Sequence, residues 1–359
     1  MGDGSRKIGE AIERQRAVLA KAIVDRQWKA RPDLQQRYGA IGYAKCLEDA
    51  NYHLQYLCEA IDAAEPQLFS DYISWAKIML ASRKVVSEDL ASHLQTLRDV
   101  VADNLPVEMG AVARDYVNAA LRQLPQYPLE LPVFLDDREP LAETAKTYLN
   151  VLLRYERHLA VEMILGTVDS GTPIKDIYCY VFERCQREIG RLWQLNLVSV
   201  AQEHYCTAST QLIMALLYPK LFAQKKEKNM GSLVAACVPG ELHEIGPRML
   251  CDLMEMEGWR TIYLGANVPI PALVQTLKDQ KPDVLAISAA MTYHIKAVRQ
   301  VIRALRNSDI GDAMRIVVGG YAFRSAESLW RDVGADGFAK DALEMMELMR
   351  RWHPRAHHV

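Results

Sequence analysis

The last third of the chain alternates short apolar runs with longer segments of helical spacing, and this alternation constrains the fold more than any other feature. Alternation of this kind predicts a parallel sheet with helices on both faces. Because the runs are apolar throughout rather than at every second position, they are typical of strands buried on both sides. We predict strands at 233–238, Arg260–Leu264, Val284–Ser288, Arg315–Val318 and Gly337–Ala339.

Helical patterns occupy the preceding residues, in two blocks separated by a proline-rich stretch, LPQYPLELPVFLDDREP. Apolar residues recur at three- and four-residue spacing in both blocks. The proline-rich stretch has no helical period and is interpreted as a linker or an extended segment. The fold class is therefore α plus α/β, in a chain of 359 residues that can hold two or three domains of ~100–200 residues. The predicted domains are an all-helical domain at 1–125, a linker at 126–140, a helical bundle at 141–224 and a Rossmann-like parallel sheet at 232–359.

Composition excludes several classes of partner. The formal net charge is −2, which gives no overall attraction to nucleic acid. The 7 cysteines include no Cys-x-x-Cys pair, so neither a zinc ribbon nor a disulfide framework is indicated. The first residues lack an apolar signal core, and no run is long enough to span a bilayer. We expect a cytoplasmic protein with no direct nucleic acid partner and no membrane partner.

An aromatic stripe follows the helices of the N-terminal domain. Its simplest interpretation is a hydrophobic core. The alternative is a pocket for a flat chromophore, because helical domains of this size can resemble globins, whose helices pack around a tetrapyrrole. His53 lies within the stripe and is the candidate polar contact for such a chromophore. The stripe consists of Trp28, Tyr52, Tyr56, Phe69, Tyr72 and Trp75.

A single histidine, His243, lies on the loop between the first predicted strand and a helix predicted to begin near Pro247. Ligands of open α/β sheets bind at such loops. Glu241 could accept a hydrogen bond from one imidazole nitrogen and leave the other for a metal. Gly246 removes a side chain where a bulky ligand would pass the backbone. A lone loop histidine is more often solvated, so this motif by itself leaves both interpretations open.

Small residues end two later strands: Ser288 ends the third predicted strand, and Gly319 and Gly320 end the fourth. Together with the histidine loop, they resemble the signature of the cobalamin-binding Rossmann-like domain, which is Asp-x-His-x-x-Gly, Ser-x-Leu and Gly-Gly. The resemblance implies that His243 is the lower ligand of cobalt and that the small residues form a slot for the nucleotide tail of the corrin. The chain departs from the signature at Glu241 and Ala290. The implied cofactor contacts are Glu241, Leu242, Glu244, Ile245, Gly246, Ser288, Ala290, Gly319 and Gly320.

The helical bundle carries a second resemblance. Trp193 is followed, after nine residues, by Glu203 and His204, a pattern similar to the cap of cobalamin-dependent photoreceptors. The resemblance implies that Trp193 covers the adenosyl group, that Glu203 binds its ribose and that His204 lines the same cavity. If this pattern is considered without the neighbouring domain, its simplest interpretation is that Trp193 packs in a core and that Glu203 and His204 lie on the surface of a helix. Gln194 stands where the light-sensing repressors have a histidine that binds cobalt after photolysis, so the ligand after light must differ: water or another histidine, of which His204 is the nearest candidate.

These resemblances lead us to expect a light sensor that binds adenosylcobalamin, with His243 on the lower face of the corrin and the cap on the upper face. Photolysis of the cobalt–carbon bond would then change the quaternary structure of a homo-oligomer, with a separate protein as possible output. The alternative is a corrinoid methyl-carrier that serves a separate methyltransferase. A thermally activated adenosylcobalamin enzyme is disfavoured because the length leaves no room for a substrate barrel, so we expect no catalytic residues.

The N-terminal helical domain makes the chain similar to the photocobilins, cobalamin photoreceptors that also carry a bilin, usually biliverdin. The resemblance implies biliverdin as a second chromophore. A thioether link would need Cys46 or Cys58, but no motif around either supports one. His53 remains the candidate contact.

Overall fold

The computed structural model of the protein describes residues 2–223, 229–310, 313–324 and 328–352. The chain divides into two compact units, Met1–Glu130 and Leu131–Val359, and their boundary falls inside the predicted linker 126–140. No helix or strand occurs between Gln126 and Ala142. The last residue of the predicted bundle, 224, and the chain end, 353–359, lie outside the described residues. Among the described residues, no helix is long and apolar enough to cross a membrane.

The first unit is helical throughout, as predicted. The apolar spacing predicts one helix over Ile8–Ala30, but the structure has two helices there, because Gln15 leaves the helical conformation at φ −118°. The next spacing predicts a helix from Tyr38, whereas the third helix begins at Asp33 and bends at a kink at Gly39, where φ is +60°. The helices are α1 (Gly2–Arg14), α2 (Arg16–Ala30), α3 (Asp33–Asp62), α4 (Pro66–Ser82), α5 (Ser87–Asp103) and α6 (Val107–Gln123).

The aromatic stripe lies largely in the core of this unit. Tyr56, Phe69 and Tyr72 are buried, whereas Tyr52 is half exposed. The rings of Tyr56 and Tyr72 stack with centroids 3.5 Å apart and an interplanar angle of 9°. Stacked rings of this kind bury large apolar areas, so the core interpretation accounts for these residues.

The second unit begins with a helical bundle that covers the predicted cap. Helical spacing predicts a single helix over Leu141–Thr167, but the structure breaks it in two at Tyr155, whose φ is +63°. The Tyr205 hydroxyl stabilises this break by donating to the Tyr155 carbonyl at 2.7 Å. The elements are α7 (Ala142–Leu153), α8 (Arg157–Asp169), α9 (Ile174–Asp176), a π-helical turn (Ile177–Phe182), α10 (Glu183–Gln194) and α11 (Val200–Ala223).

The Ser-x-x-Gln pattern at Ser199–Gln202 predicts a capping box, and one starts α11. The Gln202 N–H donates to the Ser199 hydroxyl at 3.2 Å, and the Ser199 N–H donates to the Gln202 side-chain oxygen at 3.2 Å. The two bonds satisfy donors that a helix start leaves without partners. They fix where α11 begins, and so where Glu203 and His204 stand.

The α/β part of the second unit has the expected parallel sheet, in the order β2-β1-β3-β4-β5. The helix after β1 begins at Ile245, earlier than the predicted Pro247. The sequence predicts a helix over Ala322–Trp330, which is wrong as a single element. A 3₁₀ turn at Tyr321–Phe323 and a short helix stand there instead, and 325–327 lie outside the described residues. The elements are β1 (Ser232–Cys237), α12 (Ile245–Met256), β2 (Arg260–Tyr263), α13 (Ile270–Gln280), β3 (Val284–Ser288), α14 (Ile295–Arg306), β4 (Arg315–Gly319), α15 (Leu329–Asp332), β5 (Gly337–Ala339) and α16 (Ala342–Trp352).

The register of the sheet determines which loops meet. Ser288 on β3 is opposite Cys237 on β1 and Gly319 on β4. Because β1, β3 and β4 are neighbouring parallel strands, the loops that follow them emerge at one edge of the sheet. The predicted site residues after these strands therefore lie at that edge.

Candidate functional site

The buried carboxylate of Glu241 is the centre of the site. One oxygen, Oε1, accepts from the backbone N–H of His243 at 2.9 Å and from its Nδ1 at 2.6 Å. The other, Oε2, accepts from the backbone N–H groups of Ala290 at 2.6 Å and Met291 at 3.3 Å, and from His294 Nδ1 at 2.9 Å. The side chain is fully buried. It therefore joins the loop after β1 to the loop after β3.

This arrangement fixes the chemistry of His243. An ionised carboxylate only accepts hydrogen bonds, so Nδ1 carries the proton and Nε2 presents its lone pair. The His243 side chain is 65% exposed, so Nε2 is accessible to a ligand. The hydrogen bond to Glu241 raises the pKa of His243 above its ordinary value. A carboxylate on one ring nitrogen that orients the other is the usual arrangement around metal-binding imidazoles.

Glu241 is held in its ionised form. Burial by itself raises the pKa of the carboxyl group, but hydrogen bonds from His243 and His294 outweigh it and hold the pKa well below its ordinary value. The departure from aspartate at this position is therefore compatible with the histidine contact, because the longer side chain reaches both loops.

His294 belongs to this cluster and was missed by the sequence analysis. It lies in the 3₁₀ turn Thr292–His294 that precedes α14, and its side chain is buried. Its ring also approaches the histidine loop directly, since a Cβ built on Gly240 would lie 3.1 Å from His294 Nε2. Glu241 and His294 are far apart in sequence, and only the adjacency of β1 and β3 brings them together.

Glu244 connects the same loop to the helical bundle. Its carboxylate accepts from the Gln211 side chain on α11 at 2.7 Å, from the Tyr263 hydroxyl at 2.9 Å and from the Ala266 N–H at 3.1 Å. Three elements therefore converge on a residue adjacent to His243. Glu244 has a structural role whatever its contact with a cofactor.

The other residues of the histidine loop are open to a ligand. Leu242 is 71% exposed, Ile245 is half buried and Gly246 is exposed. A Cβ built on Gly246 would meet no atom within 4 Å. The fold itself thus leaves room for a side chain at Gly246, and a ligand that passes here is one reason for its absence.

The glycines at the end of β4 are required by close contacts with neighbouring backbone. Gly320 has φ +96°, and a Cβ there would lie 2.2 Å from the Ala289 carbonyl oxygen. A Cβ on Gly319 would lie 3.0 Å from the Ala339 carbonyl oxygen. Close approach of neighbouring backbone explains both residues. Ser288 and Ala290 beside them are half buried, and the slot for a nucleotide tail stays a prediction.

The predicted cap residues lie at the junction of α10 and α11. Trp193 is half buried and Gln194 is buried. His204 is 74% exposed, and its Nδ1 is 2.5 Å from a Glu203 carboxylate oxygen, while the other oxygen accepts from the Thr207 hydroxyl. The negative charge of Glu203 also contributes to the raised pKa of His243. This is the smallest of the causes that raise the pKa of His243, after the hydrogen bond and the charge of Glu241.

The N-terminal unit has a second buried polar cluster, around two histidines. His53 is buried, and its Nδ1 is 2.8 Å from the Tyr72 hydroxyl. His93, which the sequence analysis missed, is buried with its Nδ1 2.7 Å from the Gln27 side-chain oxygen. The two imidazole rings have centroids 5.2 Å apart. Burial lowers the pKa of both, that of His93 to about 4, so both are neutral at physiological pH.

The two cysteines considered for a thioether link are poorly suited to one. Burial raises the pKa of the Cys46 thiol to about 11, and the thiolate is the reactive form. Cys58 is buried, and its thiol donates to the Gly9 carbonyl at 3.6 Å. A non-covalent chromophore fits these residues better.

Comparison with known proteins places three family models along the chain. Models described as B12 binding domains match residues 144–218 and 231–347, and a model described as phycobilisome protein matches residues 4–124. Trimethylamine corrinoid protein 1 of Methanosarcina acetivorans is 24% identical over 198 residues, which are 55% of this chain and 90% of that protein. Dimethylamine corrinoid protein 3 of Methanosarcina mazei is 30% identical over 116 residues, 32% of this chain and 68% of that protein.

The chain belongs to the cobalamin-binding corrinoid protein family. The solved monomethylamine corrinoid protein of Methanosarcina barkeri has the same fold, with a TM-score of 0.53 at 19% identity over 59% of this chain and 99% of that one. This corrinoid protein differs from those relatives in carrying a phycobilisome-type domain at its N-terminus.

The residues at the sheet edge fit a corrinoid. Among the described residues, no group of three or more His, Cys, Asp or Glu side chains could hold a metal ion. A corrin needs no such group, because its ring supplies most of the cobalt ligands and His243 would hold the cobalt through a single nitrogen. His243 offers one oriented and accessible nitrogen. The site therefore provides what cobalt in a corrin lacks.

Proposed function

We propose that this corrinoid protein is a light sensor that binds adenosylcobalamin, with His243 as the lower cobalt ligand and the cap over the opposite face. Bound adenosylcobalamin supplies a cobalt–carbon bond that light can break. The single observation that carries the proposal is the hydrogen bond between His243 Nδ1 and the buried Glu241, because it presents Nε2 to a metal before any ligand arrives.

The cap supports the sensor interpretation over a simple carrier. Trp193 lies near the end of α10, and Glu203 and His204 lie in the first turns of α11, in the order and at the spacing that resemble the cap of cobalamin photoreceptors. Glu203 is near enough to His243 to influence its charge. Glu203 would bind the ribose hydroxyls, and Trp193 would exclude water from the upper face. Loss of these contacts after light would free the cap and change the assembly of a homo-oligomer, with a separate protein as possible output.

The N-terminal domain supports a second chromophore. The phycobilisome model matches residues 4–124, and we propose that this domain binds biliverdin without a covalent link. His53 and His93 are the buried polar groups that could hold it. No catalytic residue is assigned, and the protein is proposed to signal rather than to catalyse.

Illumination tests the light sensor directly. The full chain loaded with adenosylcobalamin is exposed to green light, and its absorption spectrum and its assembly are compared with a dark sample. We expect an irreversible change of the cobalamin spectrum together with a change in oligomer size by size-exclusion chromatography. Protein loaded with hydroxocobalamin has no cobalt–carbon bond and is the matched control, which should stay unchanged. A changed spectrum with unchanged assembly would contradict the proposed output.

A methyl-carrier role is the second candidate, and one observation favours it. The trimethylamine and dimethylamine corrinoid proteins match most of their own length to this chain. As a carrier, the protein would serve a separate methyltransferase. An adenosylcobalamin spectrum that does not respond to green light, with reversible loading of methyl groups, would favour the carrier over the sensor.

A further inference from the structure

The orientation of His93 is set by a chain of hydrogen bonds from α2 to α5. The Gln27 side-chain amide donates to the Asp89 carbonyl at 3.2 Å. This bond turns the Gln27 oxygen towards His93, whose Nδ1 lies 2.7 Å away. Because a carbonyl oxygen only accepts, Nδ1 must carry the proton of the neutral imidazole. The Cys46 thiol, 3.6 Å from the same nitrogen, is a weak additional contact.

The other nitrogen of His93 is left as a buried acceptor. In the neutral ring with the proton on Nδ1, Nε2 holds a lone pair and needs a donor. Among the described residues, His93 Nε2 is buried and has no hydrogen-bond partner. Buried polar groups are nearly always paired, so an unpaired one calls for an explanation such as an ion, a water or a ligand. The tautomer requires a partner that can take up a lone pair, such as an N–H or O–H donor, and excludes an anion.

The groups around the His93 ring suit a flat conjugated ligand. The centroid of the His53 ring lies 5.2 Å from that of the His93 ring, in an edge-to-face arrangement. His53 is bonded to Tyr72, and Tyr72 stacks on Tyr56. A buried acceptor beside aromatic rings matches a ligand that carries ring N–H groups within a conjugated plane. Bilins have such groups, since their pyrrole rings carry N–H donors.

We propose that His93 Nε2 accepts a hydrogen bond from a pyrrole N–H of the bilin and is the main polar contact that holds it. The inference rests on the proposed function, because it assumes that the N-terminal domain binds a bilin. It assigns the contact to His93 rather than to His53 because, among the described residues, the buried side-chain atoms without a hydrogen-bond partner include Nε2 of His93 and no atom of His53.

Titration of the full chain with biliverdin tests this assignment. We expect His93→Leu, which has no acceptor, to raise the dissociation constant about tenfold, the effect of losing one buried hydrogen bond. The variant should also shift the absorption band and the pyrrole N–H bending bands in resonance Raman spectra. His93→Gln keeps an acceptor at the same distance along the side chain and should restore part of the affinity. Circular dichroism of both variants shows whether each is folded. If His93→Leu folds poorly, the affinity of His93→Gln for biliverdin still tests the assignment.

Cys46→Ala is the matched control, since it alters packing against the same imidazole without removing Nε2. We expect wild-type affinity and an unchanged spectrum from it. If wild-type protein binds biliverdin and His93→Leu binds it with the same affinity and spectrum, the assignment to His93 is wrong, and a buried water is the partner of Nε2. If wild-type protein binds no biliverdin, both this inference and the proposed second chromophore fail. Loss of binding in Cys46→Ala alone would indicate a thioether and overturn the inference in a different way.

Discussion

The two buried polar clusters of the protein differ in how completely they are satisfied. In the second unit, Glu241 accepts from both loops at the sheet edge, and every contact is supplied by the protein. In the first unit, His93 bonds to Gln27 on one side and is left with an unpaired acceptor on the other. The first arrangement would orient His243 for the proposed cobalt, whereas the second lacks a donor. One chain therefore shows two different indications of a candidate binding site: a histidine already oriented by the protein, and a buried nitrogen that has no hydrogen-bond partner among the described residues.

Removing the Glu241 carboxylate should have the largest effect. Glu241→Ala leaves several buried N–H donors without an acceptor, and we expect the free energy of unfolding to fall by about 3 kcal/mol or more. Cobalamin affinity should fall roughly 100-fold, the upper end for loss of a group that orients a metal ligand. Chemical denaturation and equilibrium loading measure the two effects. Glu162→Gln, on an exposed helix position, should change neither quantity.

Mild acid should weaken the His93 cluster and spare the Glu241 cluster. The pKa of His93 is lowered by burial to about 4, so its stabilising contribution is present above pH ~6.5 and is lost as the pH falls towards 4, by up to about 3 kcal/mol. The pKa of Glu241 lies well below its ordinary value, so its contribution persists at pH 5. Hydrogen exchange, corrected for intrinsic rates, should show lower protection of α5 at pH 5 than at pH 7.

Asp49 opposes this effect, because burial raises its pKa to about 6 and its contribution grows as the pH falls. The contribution of His93 is therefore read as the difference between wild-type protein and His93→Leu. Equal pH dependence in the two proteins would show that the imidazole is not buried in neutral form.

His294 should have a smaller effect than Glu241, because it supplies only one of the donors to the carboxylate. We expect His294→Leu to cost about 1–2 kcal/mol of stability and to weaken cobalamin binding about tenfold. His294→Asn places an N–H donor near the position of Nδ1 and should restore most of both. If the asparagine and leucine variants behave alike in the visible spectrum of bound cobalamin, His294 only fills space.

The parallel sheet could be predicted from the sequence because short apolar runs that alternate with helical segments are compatible with few other folds. The sequence also predicted the pairing of Glu241 with His243, since residues so close in a loop after a strand can meet without knowledge of the remaining fold. His294 was missed because its contact depends on β1 and β3 being neighbours. That adjacency could have directed attention to the loop after β3, where Ser288 and Ala290 were already singled out.

Other features lay beyond sequence reasoning for a similar reason. The break at Tyr155 depends on the Tyr205 hydroxyl from a helix much later in the chain. The orphaned nitrogen of His93 depends on which way the Gln27 amide turns, and this follows from the Asp89 carbonyl. Helical spacing places His93 on a buried face but says nothing of its partners. In each case the local structure depends on a hydrogen bond between residues that are far apart in the sequence.

The central claim, that the His243 imidazole is the protein ligand of cobalt, is tested most directly by electron paramagnetic resonance. The protein is loaded with cobalamin, reduced to the cobalt(II) state and compared with the same protein containing ¹⁵N-labelled histidine. We predict that the axial nitrogen splitting changes from a triplet to a doublet on labelling, and that His243→Ala loses this labelled signal. A triplet that persists in the labelled protein would show that the axial nitrogen belongs to the cofactor's own base and would contradict the account.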